Sequence, residues 1–332
     1  MLKDSGGTLW EEYDLALLDL DGVVYIGPDA VEGAADRLGE AVDAGMHLAY
    51  VTNNASRPPR VVARHLTDLG IPAEEDEVVT SAQAAARLTA EQVGPGSSVF
   101  VIGGAGLYEA LEELGLRPVQ TAGEGPTAVV SGYNPDLRWR TVMEGAILVR
   151  QGLTWVASNT DMSVPTPQGP GPGNGVLVEA VARFAGREPL VAGKPQPPLF
   201  EETLRRMGGR RPLVVGDRLD TDIEGAHSTG LDSLLVLTGV TGLEELVTAG
   251  PRRRPTYLSL GLEGLGHRHR SPQLRDGGFE LGGWRAVAEH GGLKLEGRGE
   301  SVDWWRVTAA AAWRHLDETG ESVDVSATAL PR

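Results

Sequence analysis

Two aspartates stand two residues apart at the end of an apolar run, where carboxylates can attack phosphorus, transfer protons or hold a divalent cation. They are Asp19 and Asp21 in LALLDLDGVVYIG, residues 15–27. An apolar run without polar alternation predicts a strand that is buried on both faces, as in a parallel sheet. Because ligands of open α/β sheets bind at the carboxyl ends of strands, the pair predicts a site for chemistry on phosphate.

A calcium loop of the EF-hand type is one alternative for this D-x-D-G sequence. Such a loop has 12 residues and ends in a bidentate glutamate. The twelfth residue counted from Asp19 is Ala30, and the motif follows a predicted strand rather than a helix, so calcium is disfavoured. A pair of solvated turn acids is the other alternative, because aspartate is common in turns.

Two further apolar runs also end in polar groups that suit a phosphoryl group. HLAYVTNNAS delivers Thr52, Asn53 and Asn54, whose hydroxyl and amide donors can bind phosphoryl oxygens. Lys194 in VAGKP supplies a compact positive charge. Taken singly, the asparagines could form a turn and the lysine could be a surface charge.

A third run, RPLVVGDRLDTD, ends in three acids: Asp217, Asp220 and Asp222. Clustered carboxylates repel each other unless a hard cation neutralises them, and oxygen ligands beside phosphate favour magnesium. Asp220 or Asp222 could instead cap the helix that follows. For Asp220, the favoured interpretation is that it caps the helix or supports the metal ligands without binding the metal itself.

Four short sequences, DLDGV, VTNNAS, GKP and GDRLDTD, occur in this order over residues 12–262. They resemble the four motifs of the haloacid dehalogenase superfamily, and in particular its type IIA branch of small-molecule phosphatases. The resemblance implies an α/β fold in which a doubly wound parallel sheet carries an inserted α/β cap domain. It also implies a phosphoric monoester hydrolase that uses Mg²⁺.

The same resemblance implies a role for each matched residue. Asp19 would attack phosphorus and form an aspartyl phosphate, and Asp21 would act as general acid and then as general base. Mg²⁺ would be held by Asp19, the backbone carbonyl of Asp21 and Asp217, with Asp222 supporting it directly or through water. The phosphoryl oxygens would be bound by Lys194, Thr52 and Asn53.

A phosphomutase is the nearest enzymatic alternative, because phosphomutases also carry the D-x-D pair. A second alternative is a phosphometabolite sensor that acts through the C-terminal region. All catalytic residue types are present, which favours the phosphatase.

Thr52 and Lys194 are 142 residues apart, which is too long for an ordinary crossover and predicts an inserted domain. Strand and helix patterns alternate within the insert, so it is predicted to be α/β as well. The predicted domains are a discontinuous core at 12–81 and 187–262, a cap at 82–186, a linker at 263–278 and a C-terminal extension at 279–332.

Substrate contacts are expected from the turn-rich cap segments 131–136, which contains Tyr133, and 158–175. The second segment could equally be a loop that returns to the core. From the core side, the residues that could reach the leaving group are Asn54, Ser56 and Arg57, although Arg57 also suits a surface position.

Pyridoxal phosphatases of this branch resemble one another in a cap-loop histidine where this chain has Val164. The sparse aromatic residues of the cap also leave little to stack a large planar base, so a small polyol or acid phosphate is favoured: glycerol 3-phosphate first, with 2-phosphoglycolate next.

The C-terminal extension contains four of the seven tryptophans. Two short strands and a helix over 301–320 are predicted, which makes a ββα unit. Such a unit is too small to bury its aromatic residues alone, so it is expected to pack on the phosphatase or on a second subunit. His267 and His269 could be a metal pair, but solvated linker residues are the favoured interpretation.

The composition of the chain limits the classes of binding partner that are expected. The net charge is −16 with a pI of about 4.9, which disfavours nucleic acid and anionic membranes as partners. The chain has no cysteine, no signal peptide pattern and no run long enough to span a membrane. We therefore expect a cytoplasmic protein that acts on a small phosphorylated metabolite and forms a homodimer through the cap or the C-terminal extension.

Overall fold

The structure is a computed structural model that describes residues 1–166 and 168–331. The chain divides into two compact units, one made of Met1–Leu48 with Gly209–Arg332 and the other of Ala49–Gly208. These limits differ from the predicted domain boundaries, which stay a prediction.

The secondary structure alternates between strands and helices along most of the chain. The strands are β1 (Leu15–Leu18), β2 (Tyr25–Ile26), β3 (Asp29–Ala30), β4 (His47–Thr52), β5 (Val78–Thr80), β6 (Ser98–Ile102), β7 (Arg117–Val119), β8 (Ala128–Ser131), β9 (Thr154–Ala157), β10 (Ser163–Thr166), β11 (Gly169–Pro172), β12 (Leu190–Val191), β13 (Pro212–Gly216), β14 (Asp232–Val236), β15 (Tyr257–Ser259), β16 (Gln273–Arg275), β17 (Gly278–Leu281), β18 (Trp284–Glu289) and β19 (Gly292–Gly297). The α-helices are α1 (Leu9–Glu12), α2 (Ala34–Asp43), α3 (Pro59–Asp68), α4 (Ser81–Val93), α5 (Ala105–Glu113), α6 (Trp139–Arg150), α7 (Asn174–Ala185), α8 (Pro197–Met207), α9 (Glu224–Thr229), α10 (Leu243–Val247) and α11 (Ser301–Thr319).

The first unit contains parallel strands in the order β15-β14-β13-β1. All four residues of β1 are buried, as the unbroken apolar run predicts. Leu18 pairs with Val215, and the Asp19 N–H donates to the Val215 carbonyl at 2.9 Å. Asp19 and Asp217 therefore follow neighbouring strands at the same edge of the sheet.

The second unit contains a five-stranded parallel sheet in the order β12-β9-β8-β6-β7 and the parallel pair β4–β5. The predicted strands and helices between residues 98 and 161 are confirmed. The segment predicted as irregular loop material within 158–175 instead forms the antiparallel hairpin β10–β11. Proline and glycine are usually rare inside strands, but both strands of this hairpin are short.

The C-terminal region holds four antiparallel strands, β16-β17-β18-β19, and helix α11. The prediction of a ββα unit was therefore wrong by two strands. Both missed strands are short; β16 lies in the stretch that was predicted to be linker, and β17 begins at the last residue of that stretch. Helix α11 is as predicted, and Gly320 ends it in the left-handed conformation that glycine favours.

Helix α11 packs within the first unit through its tryptophans. Trp304, Trp305 and Trp313 share one hydrophobic cluster with leucines of the core, namely Leu219, Leu235, Leu246 and Leu258. The Trp313 indole N–H donates to the Leu246 carbonyl at 2.7 Å, which satisfies its polar group inside the cluster. The expectation that this region packs on the core is confirmed.

His269 is buried in this region and contacts the same helix. One ring nitrogen, Nε2, lies 2.9 Å from the Gly264 carbonyl, and the other, Nδ1, lies 3.1 Å from Nη2 of Arg306. Since Arg306 can only donate, Nδ1 accepts and Nε2 carries the proton. The interpretation of His269 as a solvated linker residue is wrong, and both ring nitrogens have protein partners rather than a metal.

We expect His269 to make the protein less stable in mild acid. Burial above all, with the Arg306 charge beside it, lowers the pKa of His269 to about 4. The unfolded chain then binds more protons than the folded one between pH 6.5 and 4, so stability falls as pH falls through this window, by about 3 kcal/mol in total. Denaturant unfolding at pH 7 and pH 4.5 measures the drop.

His269→Gln should remove this part of the pH dependence, whereas the same change at exposed His267 should keep it. Equal pH slopes for the wild type and the His269 variant would contradict the assignment.

Candidate active site

Three aspartates of the first unit converge at the edge of its sheet. One carboxylate oxygen from each of Asp19, Asp217 and Asp222 lies within 4.8 Å of the other two. Asp217 is 0% exposed and Asp222 is 1% exposed. Like charges held this closely with little solvent favour a bound cation.

The backbone and hydroxyl groups around Asp217 fix its orientation. The Val240 N–H donates to its Oδ2 at 2.7 Å, and the Thr241 hydroxyl donates to its carbonyl at 2.6 Å. The Thr238 hydroxyl donates to the Gly22 carbonyl at 2.5 Å, so the same loop also holds the turn after Asp21. Sequence reasoning missed this loop, although LTGVTG ends an apolar run in polar residues as the other motifs do.

Asp222 reaches the cluster from a single π-helical turn, Leu219–Ile223. Its Oδ2 accepts the Arg218 N–H at 3.1 Å. Asp220 lies in the same turn but forms an ion pair with Arg218 at 2.9 Å, with its side chain 48% exposed. The N-cap of the turn is Arg218, so the capping interpretation of Asp220 was wrong.

Three glycines leave room for these carboxylates. A Cβ atom at Gly22, Gly216 or Gly239 would come within 3.0 Å of Asp217 or Asp222 side-chain atoms. Gly22 also has a φ of +86°, which favours glycine and allows the sharp turn after Asp21. Oxygen donors in a confined cradle suit a small hard cation, so the described residues fit Mg²⁺.

Asp21 differs from the buried acids because it is exposed. The Gly22 N–H donates to the Tyr25 carbonyl at 2.8 Å, which closes the turn that carries Asp21. The Tyr25 hydroxyl lies 3.5 Å from the Asp21 Oδ2. An exposed carboxylate beside buried ones can exchange protons with a substrate or with water.

The second unit carries the candidate phosphate-binding residues. Thr52 ends strand β4, and its Oγ1 accepts the Asn54 N–H at 3.1 Å. The Asn54 Oδ1 accepts the Ser56 N–H and the Ser56 hydroxyl, both at 2.8 Å. The Asn54 side chain thus forms a turn, which was the alternative for the asparagines, while Arg57 is exposed.

Lys194 is a buried cation, only 4% exposed. Its Nζ lies 3.4 Å from the Val51 carbonyl, and its backbone N–H donates to Asn53 Oδ1 at 2.8 Å. The Asn53 Nδ2 donates to the Lys194 carbonyl and to Asp161 Oδ1, both at 3.1 Å. Asn53 therefore contacts Lys194 through its side chain, a partnership that sequence reasoning missed.

Tyr133 is half-buried and follows strand β8. The next residue, Asn134, anchors this segment by donating from Nδ2 to the Gly103 carbonyl at 3.0 Å. The segment is therefore an ordered part of the second unit. Its role in substrate binding stays a prediction.

Two family models match the chain. One describes a haloacid dehalogenase-like hydrolase and matches residues 16–117, and the other, of the same hydrolase class, matches residues 191–264. The chain belongs to the haloacid dehalogenase-like hydrolases. The predicted superfamily, its type IIA branch and the doubly wound α/β fold are confirmed.

Curated relatives and a solved structure agree with this assignment. D-glycerol 3-phosphate phosphatase of Mycobacterium tuberculosis is 44% identical over 255 residues, which cover 77% of this chain and 71% of that protein. Acid sugar phosphatase of Staphylococcus aureus is 37% identical over 71% of this chain and 91% of its own. The crystal structure of the glycerol phosphate phosphatase from M. tuberculosis with magnesium aligns with a TM-score of 0.86 at 40% identity, covering 93% of this chain and 92% of that chain.

The structural alignment leaves only 7% of this chain outside it, which is less than the extension at 279–332. At least part of the C-terminal region therefore has a counterpart in that structure.

None of the helices in the described ranges combines the length and hydropathy that crossing a membrane requires.

Proposed function

We propose that this protein is a magnesium-dependent phosphatase of small phosphate monoesters, with D-glycerol 3-phosphate as the favoured substrate. The observation that carries the proposal is the convergence of Asp19, Asp217 and Asp222 in a hydrolase of this family. The substrate is supported by the 44% identity to a D-glycerol 3-phosphate phosphatase. The relatives are named phosphatases, which favours hydrolysis over the phosphomutase and sensor alternatives.

The carboxylates of Asp19 and Asp21 have different roles in the reaction. A carboxylate oxygen of Asp19 attacks phosphorus, the ester P–O bond breaks, and the leaving alcohol oxygen takes a proton from Asp21. Water then attacks the aspartyl phosphate, Asp21 takes a proton from that water, and the bond between Asp19 and phosphorus breaks. Inorganic phosphate leaves, and both carboxylates return to their starting states.

The remaining residues offset charge and orient the phosphoryl group. The Lys194 ammonium and the Thr52 hydroxyl bind phosphoryl oxygens. Asp19, Asp217, Asp222 and the Asp21 carbonyl would hold Mg²⁺, whose charge would offset the negative charge of the phosphoryl group.

The leaving group is expected to contact the turn of Asn54, Ser56 and Arg57 and the cap segment of Tyr133. The hairpin β10–β11 carries Val164, where a histidine is expected in pyridoxal phosphatases. A small polyol phosphate fits this assignment better than a planar aromatic one.

The test is kcat/KM for a panel of small phosphate esters with and without magnesium. The panel contains both enantiomers of glycerol 3-phosphate, 2-phosphoglycolate, sugar phosphates, pyridoxal 5′-phosphate and an aryl phosphate. We expect D-glycerol 3-phosphate to exceed the others by about 10-fold or more, the size of effect that a few pocket contacts give. A flat profile would contradict the substrate, and activity in excess EDTA would contradict the metal dependence.

We further propose a homodimer formed through the cap, and a cytoplasmic location. Helix α6 exposes Trp139, Met143 and Ile147, which are 70%, 50% and 45% exposed and recur every four residues. This spacing makes an apolar stripe on one face of the helix, and such stripes are typical of protein interfaces.

Glu in place of both Trp139 and Met143 should halve the mass measured by light scattering, because charged groups cannot be buried in the interface without a partner. Gln92→Glu places the same charge at an exposed position on helix α4, outside the stripe, and should leave the mass unchanged. A wild type that stays monomeric at high concentration would contradict the dimer.

A further inference from the structure

One hydrogen-bond network of the second unit joins Lys194 to the base of the β10–β11 hairpin. We call it the asparagine network, and its members are Asn53, Asn159, Asp161 and Asn174. We propose that Asn53 is a positioning residue for Lys194 and that Asp161 and Asn159 act on Lys194 through it. The inference rests on the proposed function of Lys194 as a phosphate-binding cation.

The Asn53 amide contacts both polar groups of the Lys194 backbone. Its Oδ1 accepts the Lys194 N–H at 2.8 Å, and its Nδ2 donates to the Lys194 carbonyl at 3.1 Å. The second Nδ2 hydrogen goes to Asp161 Oδ1 at 3.1 Å. An amide side chain has two N–H donors, so both are committed within the protein. The side chain thus fixes the lysine rather than donating to a substrate.

The chain around Lys194 leaves little room for this arrangement to shift. A Cβ at Gly193 would lie 2.6 Å from Asn53 Oδ1 and 2.6 Å from the Ser158 carbonyl. The backbone before Lys194 therefore packs directly against Asn53 and against the segment that leads to Asp161. The lysine side chain is long, but burial and a fixed backbone together define where its ammonium group lies.

The hairpin end of the network holds Asn53 from the other side. Asn159 Nδ2 donates to the Asn53 carbonyl at 2.7 Å, and Asn159 Oδ1 accepts the Asp161 N–H at 3.1 Å. Asn174, at the start of α7, donates to the Asn159 carbonyl at 2.7 Å. Asn159 and Asn174 are 4% and 2% exposed. Breaking the hydrogen bonds of a buried side chain such as Asn159 leaves its polar groups unpaired, so the arrangement resists change.

This connection makes the affinity for phosphate depend on residues outside the phosphate-binding motifs. Strand β10 begins at Ser163, two residues after Asp161. Residues that hold the hairpin therefore also hold the peptide of Lys194. Loss of the Asp161 oxygen that accepts from Asn53 should therefore weaken the binding of the phosphoryl group, although Asp161 lies outside the phosphate-binding motifs.

The experiment uses the full chain and inorganic phosphate as the probe of Lys194. Asn53→Asp turns the amide that donates to Asp161 and to the Lys194 carbonyl into a second carboxylate, so both contacts become repulsive. We expect kcat/KM to fall about 10- to 100-fold, as for other residues that orient a binding group, and the inhibition constant for inorganic phosphate to rise by a similar factor. Asp161→Asn should change little, because its amide oxygen can still accept from Asn53.

The double variant, Asn53→Asp with Asp161→Asn, reverses donor and acceptor and should recover part of the lost phosphate affinity. Gln151→Glu, an amide-to-carboxylate change on the surface, should match the wild type. Thermal unfolding of each variant separates a loss of fold from a loss of positioning, because a merely structural defect lowers the active fraction and leaves the phosphate inhibition constant unchanged.

An unchanged inhibition constant in Asn53→Asp, or a double variant no better than the single one, would overturn the inference. A wild type that hydrolyses no phosphate ester would instead overturn the proposed function. The two failures are therefore distinguishable.

Discussion

Asn in place of Asp19 should abolish phosphate release, lowering kcat by a factor on the order of 10⁴ or more, as expected when a covalent nucleophile is lost. An amide has nearly the same shape as a carboxylate but is a far weaker nucleophile, so no aspartyl phosphate can form. The backbone contact of Asp19 to Val215 does not involve the side chain, so the strand end should stay in place. Phosphate release from D-glycerol 3-phosphate and from an aryl phosphate measures the loss.

Asp43→Asn is the matched control, because Asp43 is an exposed carboxylate on helix α2 of the same unit. It should retain wild-type kcat. Turnover of a substrate with a radioactive phosphoryl group, followed by acid quenching, should trap a phosphoenzyme in the wild type and none in the Asp19 variant. Activity that survives Asp19→Asn would rule out the aspartyl phosphate.

The sheet and its acidic edge were predictable because local sequence determines them. The run Leu15–Leu18 has no polar residue, so only a strand covered on both sides can bury it, and the acids that follow must emerge at its end. The same reasoning applies to strand β13 and Asp217. Since β1 and β13 are parallel neighbours, their ends meet, and the three-aspartate cluster follows.

Features that depend on contacts distant in sequence were not predictable. His269 lies in a basic, turn-rich stretch, and its burial depends on residues distant in sequence, namely Arg306, Tyr257 and Ser5. Asn53 was expected to orient phosphate, but its side chain contacts Lys194, 141 residues away. No local pattern encodes the pairing of an amide with a peptide so far along the chain.

The β10–β11 hairpin and the two additional C-terminal strands, β16 and β17, were not predicted for another reason. Proline and glycine make up most of the hairpin, and a pair of glycines lies at each end of strand β17; such composition normally predicts turns. Each strand is four residues or fewer, so the alternation that identifies a strand hardly develops. Pairing with a neighbouring strand, which the sequence does not display, decides their structure.

Asn in place of Asp217 should lower the affinity for magnesium more than about 100-fold. This loss exceeds the roughly 10- to 100-fold loss of affinity that follows when a residue hydrogen-bonded to a metal ligand is changed. Asp217 is fully buried, and the Val240 N–H and the Thr241 hydroxyl fix its orientation, so no other carboxylate can take its place. The asparagine oxygen can still accept the Val240 N–H, so the loop should stay folded. Calorimetric titration of the metal-free protein with Mg²⁺ measures the affinity without any turnover.

Asp220→Asn is the control within the same motif, because Asp220 is paired with Arg218 and is not part of the three-aspartate cluster. Its magnesium affinity should stay near that of the wild type. Magnesium should also raise the thermal unfolding midpoint of the wild type and of Asp220→Asn, since a ligand that binds only the folded state stabilises it, and should do so much less for Asp217→Asn. Equal losses of affinity in the two variants would show that overall charge in the motif, rather than the position of the Asp217 carboxylate, governs magnesium binding.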